Sequence, residues 1–169
     1  MTGPGCEAVV TGAGGTRILF HGCRRVDQEA GTSGARALCR QAMQSAGLDR
    51  ETLKAELLTI VDELAHNIIR YGRQGFICIT VYVEPAAGAG SEGDGSDGSK
   101  GAPEGLVFRV VAEDRGGGIK DLAKALEPGY SSGGGLGRGL NLLQALADDV
   151  RISSLLDGGT RVEVWRAVT

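Results

Sequence analysis

The chain has 169 residues, a formal net charge of −3 and 29 glycines. Its length predicts one domain with a sizeable core, and its acidic balance argues against a broad nucleic-acid-binding surface. No apolar run reaches the length of a membrane span, and the first residues lack the pattern of a signal peptide. We therefore expect a cytoplasmic protein, with neither nucleic acid nor a membrane as its partner.

The four cysteines, at positions 6, 23, 39 and 78, form no CxxC pair. A domain of this length does not need disulfides for stability, so reduced thiols are expected. A metal site at His21 and Cys23 would lack the usual ligand spacing. A strand with alternating faces is the better interpretation of these two residues.

The N-terminal half predicts a strand followed by two helices. Residues 1–16 are glycine-rich and indicate a flexible lead-in to a single domain that spans residues 17–169. The segment Arg17 to Val26 is expected to be a strand. A helix from Thr32 to Ala46 would be capped by Thr32 or Ser33.

A longer helix is expected at about residues 50–71, capped by Asp49 and ended by Gly72. Apolar residues recur along it at helical spacing and predict a buried stripe. The stripe consists of Leu53, Leu57, Ile60, Val61, Leu64, Ala65 and Ile68.

Two strands of high β-propensity follow, Gly75 to Glu84 and Leu106 to Glu113. Residues 85–105 between them carry almost no large apolar side chain and predict a disordered loop. If the strands pair, this loop is a long hairpin connection. It is then either a tolerated insertion, which we favour, or an interaction segment.

The C-terminal part predicts one helix and two closing strands. The helix runs from about Leu136 to Ala147, and the strands from Val150 to Ser154 and from Thr160 to Ala167. A turn at residues 157–159 joins these strands. The order β-α-α-β-β-α-β-β indicates an α/β two-layer sandwich, with helices on one face of a mixed, mainly antiparallel sheet.

The first candidate site is formed by Glu63 and Asn67 on the long helix. Residues four apart on a helix project to the same side, about 6 Å apart along the axis. An amide oxygen is a suitable Mg²⁺ ligand, and a carboxylate beside it can orient or deprotonate a nucleophile. The same pair also fits an ordinary solvated helix face.

The second candidate is Asp114, which follows a strand and precedes Gly116 and Gly118. A carboxylate there can accept a hydrogen bond from the exocyclic amine of adenine, and glycines let the base approach the backbone. A plain glycine-rich turn is the alternative. Thr160 at the start of the last strand is placed to contact the base, although threonine is also simply common in strands.

The third candidate is a glycine-rich loop that leads into the C-terminal helix. Its backbone N–H groups and the helix N-terminus form a potential phosphate cradle. No Lys-Ser/Thr pair follows in the register of a P-loop, and no parallel βαβ unit surrounds it. The loop comprises Gly133, Gly134, Gly135, Leu136, Gly137, Arg138 and Gly139.

The order and spacing of these motifs resemble the ATP-binding boxes of the GHKL superfamily. ExxxN, DxGxG, GGxGxG and GT occur here in the order of its N, G1, G2 and G3 boxes, across about residues 17–168. The superfamily includes histidine kinases and the small anti-sigma-factor kinases, and its fold is the Bergerat sandwich. The segments DELAHNIIRYGRQGFICI, VAEDRGGGIKDL and GYSSGGGLGRGLNLLQALADDVRISS resemble the RsbT-type switch kinases of the stressosome pathway.

This resemblance implies an ATP-dependent serine/threonine protein kinase with ATP and Mg²⁺ as cofactors. Glu63 would be the catalytic base and Asn67 the Mg²⁺ ligand. Asp114 would read adenine, within a pocket shaped by Gly116 and Gly118. The remaining cofactor-binding residues would be the glycine-rich loop and Thr160, and residues 120–134 would form a short lid.

The resemblance also implies the partners. The substrate and scaffold would be a STAS-domain protein, and a PP2C-type phosphatase would be activated on release. One alternative is an RsbW-type anti-sigma factor that sequesters a sigma factor; another is a catalytically silent, ATP-gated binding module. Gly117 and Gly133 depart from the family pattern, which often has Pro and Ser there, and they would loosen the lid hinges.

Overall fold

The computed structural model describes residues 16–84, 105–119, 139–154 and 158–168. The elements within these ranges follow the predicted order. They are β1 (Arg17–Val26), α1 (Glu29–Ser45), α2 (Glu51–Asn67), a π-helical turn (Ile68–Gly72), β2 (Gly75–Glu84), β3 (Gly105–Asp114), α3 (Gly139–Leu146), β4 (Asp149–Ser154) and β5 (Thr160–Val168).

The five strands form one sheet in the order β1-β2-β3-β5-β4. Every ladder between these strands is antiparallel, and β2 pairs directly with β3 as a long hairpin. The helices α1 and α2 pack against each other and against the sheet. The expected α/β two-layer architecture is confirmed, with the described part of the sheet wholly antiparallel.

The core lies between α2 and the inner face of the sheet. All seven apolar residues of the predicted α2 stripe are buried. They meet alternate residues of the central strands, such as Ile77, Ile79 and Phe108, each with no exposed surface. Burying each large side chain stabilises the fold by about 1.5–3 kcal/mol, so this packing sets the position of α2 relative to the C-terminal end of β3.

The outer face of the sheet carries a ladder of charged side chains. Glu163 accepts hydrogen bonds from Arg109 and Arg161, and Arg161 also pairs with Glu113 at 2.9 Å. Burial acts to raise the pKa of Glu163, but the hydrogen bonds from Arg161 and Arg109 outweigh it and lower that pKa. The indole of Trp165 contacts two guanidinium groups, those of Arg109 at 5.5 Å and Arg151 at 4.8 Å.

Both predicted helix starts in the N-terminal half are wrong. Helix α1 begins at Glu29, and Thr32 lies buried within it. Gly31 lies in the first turn of this helix, where a β-carbon would lie 2.9 Å from the Val26 Cα. Helix α2 begins after Arg50 rather than after Asp49, and no side chain caps it.

The expectation of reduced thiols is also wrong, because Cys23 and Cys78 form a disulfide. The two residues are register partners on β1 and β2, with their Cα atoms 4.0 Å apart. That proximity depends on strand pairing and leaves no trace in local spacing. Cys39 is free, and burial raises the pKa of its thiol to about 12, so it stays protonated at neutral pH.

Several predicted segments lie outside the described residues. These are nearly all of the 1–16 lead-in, residues 85–104, the lid at 120–134 and the first residues of the C-terminal helix. Gly105, expected to end the loop, is instead the first residue of β3. Within the described ranges, no helix is both long and apolar enough to cross a bilayer.

Candidate functional site

The predicted site residues within the described ranges gather at one end of the sheet. The C-terminal end of β3 supplies Asp114, the start of β5 supplies Thr160, and α2 supplies Glu63 and Asn67. The start of α3 brings Gly139 against Glu63. Residues far apart in the chain thus meet because the sheet places β5 beside β3 and because α2 packs across both.

Asp114 is a buried carboxylate with one oxygen held and the other open. It is only 9% exposed. Its Oδ1 accepts a hydrogen bond from the Gly116 N–H at 2.7 Å and another from the Thr160 N–H at 3.2 Å. No described residue donates to Oδ2. These contacts fix the carboxylate while leaving Oδ2 as an acceptor for an incoming N–H donor.

Glycines line Asp114 so closely that no side chain would fit at three positions. A β-carbon at Gly72 would lie 2.4 Å from Asp114 Cβ, and one at Gly159 would lie 2.1 Å from the Asp114 carbonyl oxygen. At Gly116 the added carbon would lie 2.2 Å from the Tyr71 carbonyl oxygen. The backbone itself therefore walls this side of the site, as close approach by a flat ring requires.

Gly118 positions the chain that leaves β3. Its φ of +69° lies in the left-handed region, which favours glycine. The next residue, Ile119, is tied to β4 because its N–H donates to Ser154 Oγ at 3.1 Å and its carbonyl accepts from the same hydroxyl at 3.1 Å. The turn after Asp114 is thereby held against the neighbouring strands.

Glu63 and Asn67 lie on one side of α2, as their spacing predicted. Both side chains are half-buried, and neither makes a hydrogen bond to another described residue. Asn67 is the last residue of α2, directly before the π-helical turn. Such turns are frequent at functional sites because they redirect the side chains around them.

The carboxylate of Glu63 rests on the start of α3. A β-carbon at Gly139 would lie 1.9 Å from Glu63 Oε1, so a larger residue there would displace the end of the Glu63 side chain. The preceding residue, Asp62, pairs with Arg36 of α1 through both carboxylate oxygens. This pair anchors α2 to α1 immediately beside Glu63.

The structure thus brings together Glu63, Asn67, Asp114, Gly116, Gly118, Gly139 and Thr160. Thr160 reaches Asp114 through its backbone N–H, and its contact with the base stays a prediction. The remaining predicted phosphate-binding residues lie outside the described part of the chain. They are Gly133, Gly134, Gly135, Leu136, Gly137 and Arg138.

Sequence reasoning missed two residues of this site, Gly72 and Gly159. Gly72 had been interpreted only as a helix stop, and Gly159 as part of a turn and of the GT motif, without a contact to Asp114. Both contact Asp114 closely. The positive φ of Gly159, +103°, corresponds to a signal visible in the sequence, the Gly-Gly pair before the last strand.

These residues fit an adenine nucleotide. The open carboxylate oxygen suits an exocyclic amine, the glycine wall admits a flat base, and a carboxylate and an amide lie along the adjacent helix. Together with the two-layer fold, this arrangement defines an ATP-binding protein.

Comparison with known proteins gives the family. The histidine kinase-like ATPase domain matches residues 26–165. The serine/threonine-protein kinase RsbT of Bacillus subtilis (strain 168) is 32% identical over 141 residues, covering 83% of this chain and 92% of that protein. The chain therefore belongs to the histidine kinase-like ATPase family, within its group of RsbT-like serine/threonine kinases.

A solved structure, the SiaB-SiaC complex from Pseudomonas aeruginosa, resembles this chain distantly. The match covers 89% of this chain and 91% of that one, at 12% sequence identity and a TM-score of 0.45. A likeness at this level bears on neither the site nor the partner.

Proposed function

We propose that this protein is an ATP-dependent serine/threonine protein kinase that phosphorylates a STAS-domain antagonist or scaffold protein. In this proposal it is a partner-switching regulator of sigma-factor or stress signalling in the cytoplasm. Once released by its scaffold, it would activate a PP2C-type phosphatase. The family and the 32% sequence identity to RsbT support the kinase class. The segments around the motifs that resemble RsbT-type switch kinases support the choice of partner.

The proposal rests on two carboxylates, Asp114 for reading the nucleotide and Glu63 as the catalytic base. Asp114 is held by two backbone N–H groups and keeps one oxygen open. Glu63 has no hydrogen-bond partner among the described residues and rests against Gly139.

In the proposed mechanism, the chain's own residues position the reactants. Asp114 Oδ2 would accept a hydrogen bond from the adenine amine, and the Asn67 amide oxygen would be a ligand for Mg²⁺. Bound Mg-ATP supplies the phosphoryl group. The glycine-rich loop before α3 binds the phosphates through its N–H groups. Little else is required, because phosphoryl transfer depends mainly on positioning and charge neutralisation.

Glu63 acts on the acceptor rather than on the nucleotide. Its carboxylate accepts the proton of the serine or threonine hydroxyl as the oxygen bonds to phosphorus and the bond to the leaving ADP oxygen breaks. The proton remains on Glu63 until it is lost to solvent. The Glu63 side chain lies against Gly139, which is the last residue of the predicted phosphate-binding loop.

The test measures transfer of label from γ-labelled Mg-ATP to a STAS-domain protein from the same organism. We expect labelling by the wild type and a loss of roughly 10²–10⁴-fold in rate for Glu63→Gln, with ATP affinity retained. Glu51→Gln is the matched control, because Glu51 lies on the same helix with an exposed side chain paired to Lys54. It should behave as wild type.

Other outcomes identify the alternatives. ATP binding without any label would support a silent, ATP-gated binding module. Labelling accompanied by stable capture of a sigma factor would support an RsbW-type anti-sigma factor. Equal rates for Glu63→Gln and the wild type would refute the role of Glu63 as base.

A further inference from the structure

A cluster of exposed arginines and aromatic rings adjoins the candidate nucleotide site. Three of its members lie on the π-helical turn and the loop after it, and one each lies on β1, at the start of β2 and directly after β3. We call it the arginine patch, and it consists of Arg25, Arg70, Tyr71, Arg73, Phe76 and Arg115.

Backbone contacts hold these segments together. The Arg115 N–H donates to the Gln74 carbonyl at 3.1 Å. The Arg25 guanidinium donates to Gln74 Oε1 at 3.1 Å, and Arg25 is the register partner of Phe76. Gln74 therefore joins β1, the start of β2 and the chain that follows Asp114 into one continuous surface.

Most of the positive charge in the patch is unpaired. Within the described ranges, Arg70, Arg73 and Arg115 form no ion pair, and only Arg25 is paired, with Asp27 at 3.1 Å. The chain as a whole carries a net charge of −3. A local concentration of unpaired arginines on an acidic protein indicates an acidic ligand rather than a generally solvated surface.

The patch also exposes aromatic surface. Tyr71 is 44% exposed and Phe76 is 50% exposed, and they are two of the three large apolar residues exposed in the described chain. Arg70 lies 5.7 Å from the centre of the Tyr71 ring. Arginine and aromatic side chains are the residues most enriched at protein–protein interfaces.

Arg73 adds an observation from the backbone. It has a φ of +60°, and it is the only non-glycine residue in the described ranges with a positive φ. Glycine would occupy this conformation without steric strain, so the long cationic side chain is present despite a conformational cost. A contribution of that side chain to binding would explain its presence.

The patch continues the helix face that carries the reactive groups. Tyr71 is four residues beyond Asn67 and eight beyond Glu63, which corresponds to about 12 Å along a helix. A protein interface of ordinary size buries about 800 Å² on each partner, a disc with a radius of roughly 16 Å. A folded protein that delivers a hydroxyl to Glu63 therefore also covers Tyr71.

We propose that the arginine patch is the docking surface for the phosphoacceptor protein, which presents carboxylates beside its acceptor serine or threonine. This inference rests on the proposed function and names the surface on which the substrate is held. Arginine side chains steer and orient the acidic partner, while the two aromatic rings provide buried contact area.

The test compares acceptor and nucleotide binding in a charge-reversed variant, Arg70→Glu with Arg73→Glu. We expect the KM for the acceptor protein to rise about tenfold or more, while the dissociation constant for ATP stays within about twofold. Arg40→Glu is the matched control, because Arg40 is an exposed arginine on α1 without an ion pair among the described residues. Its KM should equal that of the wild type.

A measurement on the unaltered protein keeps the proposal testable if the variant does not fold. The wild-type KM for the acceptor should rise as the salt concentration is raised from about 50 to 300 mM, because surface charges are screened. A KM unchanged by salt, or equal in the double variant and the wild type, would overturn the docking surface. Binding of a single-stranded oligonucleotide that the double variant abolishes would overturn it in favour of nucleic acid.

The two levels of the proposal fail in different ways. If the wild type transfers no phosphate to the acceptor, the proposed function itself is wrong. If the wild type transfers phosphate normally and the double variant does so with an unchanged KM, only the docking surface is wrong.

Discussion

At the scale of single residues, the glycines around Asp114 matter as much for the shape of the candidate site as its carboxylate does. At Gly72, Gly116 and Gly159, an added β-carbon would collide with atoms of Asp114 or Tyr71. Their absence of side chains allows two N–H groups to reach Oδ1 and leaves the approach to Oδ2 open. One side of the candidate site is therefore formed by backbone atoms, and few substitutions at these glycines would preserve its shape.

A pair of neighbouring glycines provides a matched test of this view. Gly116→Ala should lower ATP affinity, because its new methyl group would lie 2.2 Å from the Tyr71 carbonyl oxygen and must displace Asp114 or the π-helical turn. Overpacking of this kind costs about 1–3 kcal/mol. If that cost destabilises the ATP-bound state alone, the affinity for ATP falls roughly 5- to 150-fold.

The control is Gly117→Ala, where a β-carbon would meet nothing within 4 Å. Calorimetric titration with ATP measures both variants, and circular dichroism checks that they fold. Equal affinities for the two variants would contradict the close-packed wall.

At the scale of secondary-structure elements, the edge strand β1 is held to the sheet by a covalent bond. Among the described strands β1 pairs only with β2, and the Cys23–Cys78 disulfide joins residues 55 positions apart. Between them lie α1, α2 and the π-helical turn, so the closed loop includes the helix that carries Glu63 and Asn67. Cross-linking residues this far apart restricts the unfolded chain substantially.

Removal of this bond should reduce stability without reshaping the site. We expect Cys23→Ser to lower the free energy of unfolding by about 2–4 kcal/mol in oxidising buffer. Urea denaturation with and without dithiothreitol measures the effect. Dithiothreitol should destabilise the wild type to the level of the variant and leave the variant unchanged; a wild type insensitive to the reductant would argue that the thiols are reduced after all.

At the scale of the whole molecule, the β2–β3 hairpin has residues 85–104 at one end and the candidate site at the other. Glu84 and Gly105 are register partners at the open end of this hairpin. The site lies at the opposite end, where Gly75 pairs with Asp114. The candidate nucleotide site therefore lies remote from the point where residues 85–104 are attached.

Replacement of residues 85–104 by an Asn-Gly turn tests what that segment contributes. A two-residue turn can connect directly paired strands, so we expect the fold, the melting temperature and the ATP affinity to be preserved. Phosphorylation of the acceptor protein is measured in parallel. A loss of phosphorylation with ATP binding intact would make the segment an interaction element rather than a tolerated insertion.

Much of this fold could be predicted because it follows from local periodicity. The bounds of β1 and β2, the buried stripe of α2 and the order of elements agree with the sequence pattern. Strand alternation and helical spacing reflect which face of each element meets the core, and that requirement is encoded within ten to twenty neighbouring residues. The roles of Glu63, Asn67 and Thr160 in catalysis and binding stay predictions.

What only the tertiary structure decided depends on residues that are distant in the chain. The disulfide between Cys23 and Cys78 follows from the β1–β2 register. The contacts of Gly72 and Gly159 with Asp114 exist only once α2, β3 and β5 converge. The sequence by itself determined the elements and the motif order, since these are short-range properties; register, close approach and cross-linking arise from long-range packing, which no local pattern records.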